Sequence, residues 1–105
     1  MSETLTFEHL AVVNRQRCEE SYFPVDHWSP TDWGCALAGE VGELCNLLKK
    51  RRRGDVVSLE DVADEMADVA IYLDLLATRH GIDLGAAVVS KFNRTSEKRG
   101  SAARL

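Results

Sequence analysis

Apolar residues recur every three or four positions along four stretches of the chain, and no stretch reads convincingly as a strand, so the pattern predicts four helices. The first covers about residues 5–20, with Leu5, Leu10, Val13 and Cys18 on one side. "SYFPVDHWSP" then breaks regular structure, because Pro24 and Pro30 each restrict the residue before them. Helix two is expected to start at Thr31 or Asp32, just after Pro30, and to run to about Arg52. Gly54 stands where a helix C-cap favours glycine. Ser58-Leu59-Glu60-Asp61 approximates a capping box and opens a long periodic run to Arg79 or His80. Gly81 ends that run, and Asp83 can cap a fourth helix over about residues 84–98. The tail "RGSAARL" is read as loose or engaged in an assembly contact. The expected fold is all-α, a four-helix bundle formed by a single domain over residues 1–105.

Helix two carries an anomaly. At about 100° per residue, Trp33, Leu37, Val41, Leu44 and Leu48 gather in one sector, which Ala36 and Leu47 extend. Glu40 falls inside this apolar face and Glu43 sits at its edge, whereas Gly39, Gly42 and Asn46 take the opposite side. An ionised carboxylate buried without a partner is costly, so something must compensate it. Gly39 and Gly42 are expected to let another helix approach closely, despite costing up to about 1 kcal/mol each relative to alanine.

Helix three repeats the pattern. Val62, Met66, Val69, Leu73 and Leu76 form an apolar stripe, beside which Asp61, Glu65 and Asp68 form an acidic stripe that Tyr72 continues. Ile71 and Leu75 lie beyond it, so apolar residues flank the acids on both edges. Between Glu60 and Asp74 there is no basic residue, whereas a solvated face more often carries Lys or Arg at i+4.

Two pairs at i, i+3 spacing, Glu40/Glu43 and Glu65/Asp68, thus come from two helices whose short connection favours antiparallel packing. Four converging oxygen donors suit a hard cation, Mg²⁺ with Mn²⁺ as a substitute. A di-iron carboxylate bundle needs Glu-x-x-His, and none of His9, His27 or His80 has a glutamate three residues before it.

Composition narrows the classes further. With 105 residues, 45% hydrophobic and 29% charged, the chain has the make-up of a globular domain. A formal net charge of −4 argues against broad nucleic-acid binding. The basic run "KKRRRG" at residues 49–54 is read first as a complement to the dipole of helix two. No run is long and apolar enough for a membrane span, and "MSETLTFEHL" lacks the basic and apolar regions of a secretory signal. Cys18, Cys35 and Cys45 have no CxxC spacing and read as free thiols, which together points to the cytoplasm.

With these residues in view, the chain resembles the MazG-like superfamily of all-α nucleoside triphosphate pyrophosphatases, in particular its small single-domain members, among them the dCTP pyrophosphatases. The matching segments are "LAGEVGELCNLLKK" and "DEMADVAIYLDLLATRHGIDLGAAVVSKFNRTSEKRG", about half of the chain. The family signature, ExxE on one helix and ExxD on the next, is matched by Glu40, Glu43, Glu65 and Asp68. The resemblance implies Mg²⁺-dependent hydrolysis of a nucleoside triphosphate to the monophosphate and pyrophosphate, in a homodimer or homotetramer. It implies that the four acids hold the metal; a carboxylate left free of the metal can act as base toward the attacking water, and Glu43 and Glu65 are the candidates. Lys91 and Asn93, in a KFN-like segment, are implied to contact the phosphate chain. His27, Trp28, Trp33 and Tyr72 are the candidates for holding the nucleobase. The alternative from another class is a non-catalytic helical oligomerisation or regulatory module. It explains the amphipathic helices but gives no reason for acids on apolar faces.

Overall fold

The computed structural model describes residues 4–105. The chain forms α1 (Phe7–Ser21), a 3-10 turn (Val25–His27), α2 (Pro30–Arg52), α3 (Leu59–Arg79) and α4 (Leu84–Arg99), with no strand among the described residues.

Local chemistry accounts for the helix starts. Thr6 accepts a hydrogen bond from the His9 amide and caps α1, so the helix begins two residues later than the apolar pattern alone indicates. Ser29 caps α2 through a capping box, its hydroxyl accepting from the Asp32 amide and the Asp32 carboxylate accepting from the Ser29 amide. Pro30 therefore occupies the first turn, where its missing N–H costs nothing, and Asp32 is the third helical residue and not the cap. Ser58 and Asp61 form the same reciprocal pair at the start of α3, as the sequence indicates. Gly54 has φ +99°, a conformation that side chains resist, and it turns the chain out of α2.

α2 and α3 form the principal helix pair and run antiparallel. The rings of Trp33 and Tyr72 lie 6.3 Å apart at one end, while Glu40 and Glu43 meet Glu65 farther along. α1 packs across the C-terminal half of α3, where Asn14 bonds to both Ile71 and Asp74. α1 turns a face with Leu10, Asn14 and Cys18 inward, whereas Leu5 and Val13 are exposed, so the expected inward side is rotated.

The core is small and lies at one end. Cys18, Val25, Trp33 and Leu75 are buried together, with Phe23, Trp28, Ile71, Tyr72 and Leu76 packed around them. Polar groups caught there are satisfied: the Trp33 Nε1–H donates to the Val25 carbonyl at 2.8 Å, and Arg79 Nε donates to the Trp28 carbonyl at 2.8 Å. Val62 is buried farther along α3, but much of the hairpin's apolar surface is uncovered. Val41 and Leu48 on α2, and Met66 and Leu73 on α3, are exposed although the pattern assigns them to the apolar stripes.

α4 packs on α1, and its close approach depends on Gly85, where an added Cβ would stand 3.1 Å from Phe7 Cβ. Gly39 and Gly42 have nothing within 4 Å of such a Cβ, so no helix of the same chain uses the close approach expected there. The radius of gyration, 16.2 Å, exceeds the value of about 13 Å for a compact chain of this length. The helices are all present, but they do not close into a compact bundle within one chain.

Candidate metal centre and adjoining cavity

The antiparallel register of α2 and α3 sets three carboxylates against one another. Glu40, Glu43 and Glu65 each offer an oxygen, and these atoms lie within 4.8 Å of each other. Glu40 and Glu65 are half-buried and Glu43 is exposed at the rim. Oε2 of Glu40 and Oε2 of Glu65 are buried with no hydrogen-bond partner among the described residues. Buried acceptors of that kind are rare in native proteins, and an orphaned carboxylate oxygen is costlier than a neutral one.

The electrostatics follow from this crowding. Burial pushes the Glu40 carboxyl above the usual carboxylate range, reinforced by the charges of Glu43, Asp68 and Glu65. Burial also raises Glu65, with Glu43, Asp68 and Asp64 adding to it. Ion pairs among the described residues are Arg15–Glu19 and Arg53–Asp55, both remote from the cluster, so no Lys or Arg neutralises it. An all-oxygen set with two desolvated, unpartnered acceptors matches what Mg²⁺ or Mn²⁺ takes as ligands.

Asp68 stands apart from the three. It is half-buried one turn farther along α3, contributes charge to Glu40 and Glu65, and lines the neighbouring cavity together with Glu40. Glu40 and Asp68 therefore form the boundary between the acid cluster and that cavity.

The cavity measures about 250 Å³ and is floored by aromatic side chains. Trp28, Trp33 and Tyr72 line it, as do Tyr22 and Phe23. Trp28 and Trp33 meet edge to face, with ring centroids 4.8 Å apart, and Phe23 lies 4.9 Å from Trp28. Burial raises the Tyr72 hydroxyl above its ordinary value, with the nearby Glu40 charge next in importance, so it stays protonated and able to donate.

Of the residues singled out from the sequence, Glu40, Glu43 and Glu65 form the cluster, while Asp68, Trp28, Trp33 and Tyr72 line the cavity beside it. The other three lie elsewhere in the chain. His27 is exposed on the 3-10 turn with its ring 5.2 Å from that of Phe23, and it does not line the cavity. Lys91 borders a shallow apolar groove on α4 with Val88 and Phe92. Asn93 is engaged with the C-terminus, its Oδ1 accepting from the Leu105 amide at 2.8 Å. α4 packs on α1 and not on the α2–α3 face that carries the acids, which is why these two do not reach the cluster in one chain.

Sequence reading missed the contribution of α1. Asn14, Arg17, Cys18 and Tyr22 all line the cavity, and their spacing of three to four residues was the available signal. Compared with models of known protein families, with curated proteins and with solved structures, the chain gives no match to any of them.

Proposed function

We propose that this chain is a Mg²⁺-dependent nucleoside triphosphate pyrophosphatase that releases pyrophosphate and a nucleoside monophosphate. The observation that carries the reading is the pair of buried, partnerless oxygens on Glu40 and Glu65, with Glu40 also lining an aromatic cavity. Glu40, Glu43 and Glu65 would hold the cation, with Asp68 close enough to complete the set. Bound there, the cation supplies neutralisation of phosphate charge and acidifies the attacking water.

The remaining steps belong to side chains. Trp28, Trp33 and Tyr72 offer faces and edges against which a nucleobase packs. That places the phosphates toward Glu40 and Asp68, at the end of the cavity nearest the acids. Glu43 is the exposed member of the cluster, open to water at the rim, while burial holds Glu65, like Glu40, above the normal carboxylate range. Either can take a proton from water attacking the α-phosphorus, and both are proposed as catalytic residues.

Self-association is part of the proposal. The exposed apolar residues of α2 and α3 favour a homodimer or homotetramer, and phosphate contacts from Lys91 and Asn93 then come from a second copy. Nothing in this assignment requires nucleic acid or membrane, and no helix among the described residues is long and apolar enough to cross one.

The test is a panel of ribo- and deoxyribonucleoside triphosphates incubated with Mg²⁺ or Mn²⁺, read as pyrophosphate release. Release from at least one nucleotide, abolished by chelation, is expected. Silence across the panel with both metals sinks the enzyme reading and leaves the oligomerisation module.

A further inference from the structure

Among the described residues, Arg17 is the one basic side chain that lines the aromatic cavity, and the proposed chemistry gives it no task. It stands on α1, whereas Glu40 of α2 and Asp68 of α3 border the same space. The two acids that follow it on its own helix are already taken. Arg15 Nε donates to Glu19 at 3.1 Å, and Gln16 Nε2 donates to Glu20 at 3.0 Å. Arg17 itself enters no ion pair among the described residues, with Glu40 and Asp68 no more than with the acids of α1.

A guanidinium and carboxylates that border one cavity without meeting place opposite demands on whatever fills it. A free anion is drawn to Arg17 and repelled by Glu40 and Asp68; a free cation meets the reverse. A cation carrying an anion satisfies both walls, with the metal turned to the acids and the oxygens of the anion turned to Arg17. The planar fork of donors on a guanidinium matches phosphate oxygens in pairs. A triphosphate also carries more negative charge than one divalent ion neutralises, so a further positive group still has charge to compensate.

We propose that Arg17 is a substrate-binding residue whose guanidinium donates to phosphate oxygens of the metal-bound triphosphate, so that the site takes the metal–polyphosphate complex and not the free anion. The inference rests on the nucleotide reading of the cavity. It gives that reading a phosphate contact from the same chain, whereas Lys91 and Asn93 need a second copy to supply theirs.

Inorganic tripolyphosphate tests it without a base, and Mg²⁺ alone tests the metal without an anion. Fluorescence of Trp28 and Trp33, both on the cavity wall, follows tripolyphosphate binding, while thermal melting follows Mg²⁺ by itself. Wild type is expected to bind tripolyphosphate with Mg²⁺ and not in chelator. Arg17→Ala is expected to weaken that binding about tenfold or more, the scale of a lost hydrogen bond to a charged group, and to keep the Mg²⁺ melting shift. Arg17→Lys should recover part of the loss, because it restores the charge without the planar fork. Arg17 is exposed, so both variants are expected to fold, with unchanged far-ultraviolet dichroism. The inference is overturned if wild type binds no tripolyphosphate or binds it equally in chelator, or if Arg17→Ala binds it as well as wild type. It is also overturned if the Mg²⁺ shift is lost along with the binding, since the effect would then belong to the metal. Pyrophosphate release from nucleotides with a KM that ignores Arg17 removes the inference and keeps the enzyme; Arg17-dependent tripolyphosphate binding without any release does the reverse.

Discussion

Asp74, the most deeply buried large side chain at 1% exposure, accepts a hydrogen bond from Asn14 across the α1–α3 contact with no basic residue beside it. Burial raises its pKa, and the Asn14 bond only partly offsets that. An acid raised on folding stabilises the native state below its unfolded pKa of about 3.9, and that contribution is lost as pH rises through the folded value. Melting temperature measured in chelator is therefore expected to fall as pH increases from the acid range toward neutrality. Asp74→Asn, which keeps an acceptor for Asn14 but cannot ionise, should flatten part of that fall. Parallel profiles for the two proteins would remove Asp74 as a source of the dependence.

The two partnerless oxygens of Glu40 and Glu65 make a separate forecast about metal. A cation that binds only the folded chain stabilises it by about 2.7 kcal/mol at a hundredfold excess over Kd. For a domain of this size that corresponds to a rise of roughly 10 °C or more in Tm. Glu40→Gln should match or exceed the wild type in stability without metal, because it removes one of the repelling charges, and should lose most of the rise with Mg²⁺. A full Mg²⁺ response in Glu40→Gln would place the cation elsewhere.

Trp33 joins the core to the cavity, being buried, bonded to Val25 and in ring contact with Phe23, Trp28 and Tyr72. Trp33→Ala is expected to cost about 3–5 kcal/mol, as for large aromatic residues deleted from cores. Urea unfolding followed by circular dichroism measures this, and a cost below 1 kcal/mol would show that the aromatic cluster is not the core of the fold.

Met66 is 53% exposed on α3, with Leu73 two turns along the same helix also uncovered. If a second copy covers this face, Met66→Glu should shift the molecular mass in light scattering toward that of one chain. The far-ultraviolet dichroism should be unchanged, because the side chain makes little contact within its own chain. A wild type that is monomeric at all concentrations contradicts the self-association proposal directly.

How far the sequence could be read depended on whether the information was local. The starts of α2 and α3 rest on serine and aspartate three residues apart, and Ser58 was recognised while Ser29 was displaced by the attraction of Asp32 as a cap. Glu40, Glu43 and Glu65 were legible because two independent periodicities placed acids beside apolar stripes. Asn14 was not, since an asparagine on an amphipathic helix looks solvated until its partner, sixty positions away, is known. The exposure of Val41, Leu48, Met66 and Leu73 was equally hidden: periodicity reports that a face is apolar, not which chain covers it.

The link Arg53–Ser58 between α2 and α3 carries a consequence for the order of events in folding. The acid cluster depends on one hairpin whose two arms are consecutive, so its loop-closure cost is small and its contacts are local. The cavity instead waits for α1 to find the far half of α3, a contact between distant parts of the chain. An early hairpin would bring three carboxylates together, with Trp33 and Tyr72 already beside each other, before the α1 wall of the cavity faced them. If the cluster holds a cation as proposed, divalent ions present during refolding should accelerate the hairpin step itself, making the ion a participant in folding.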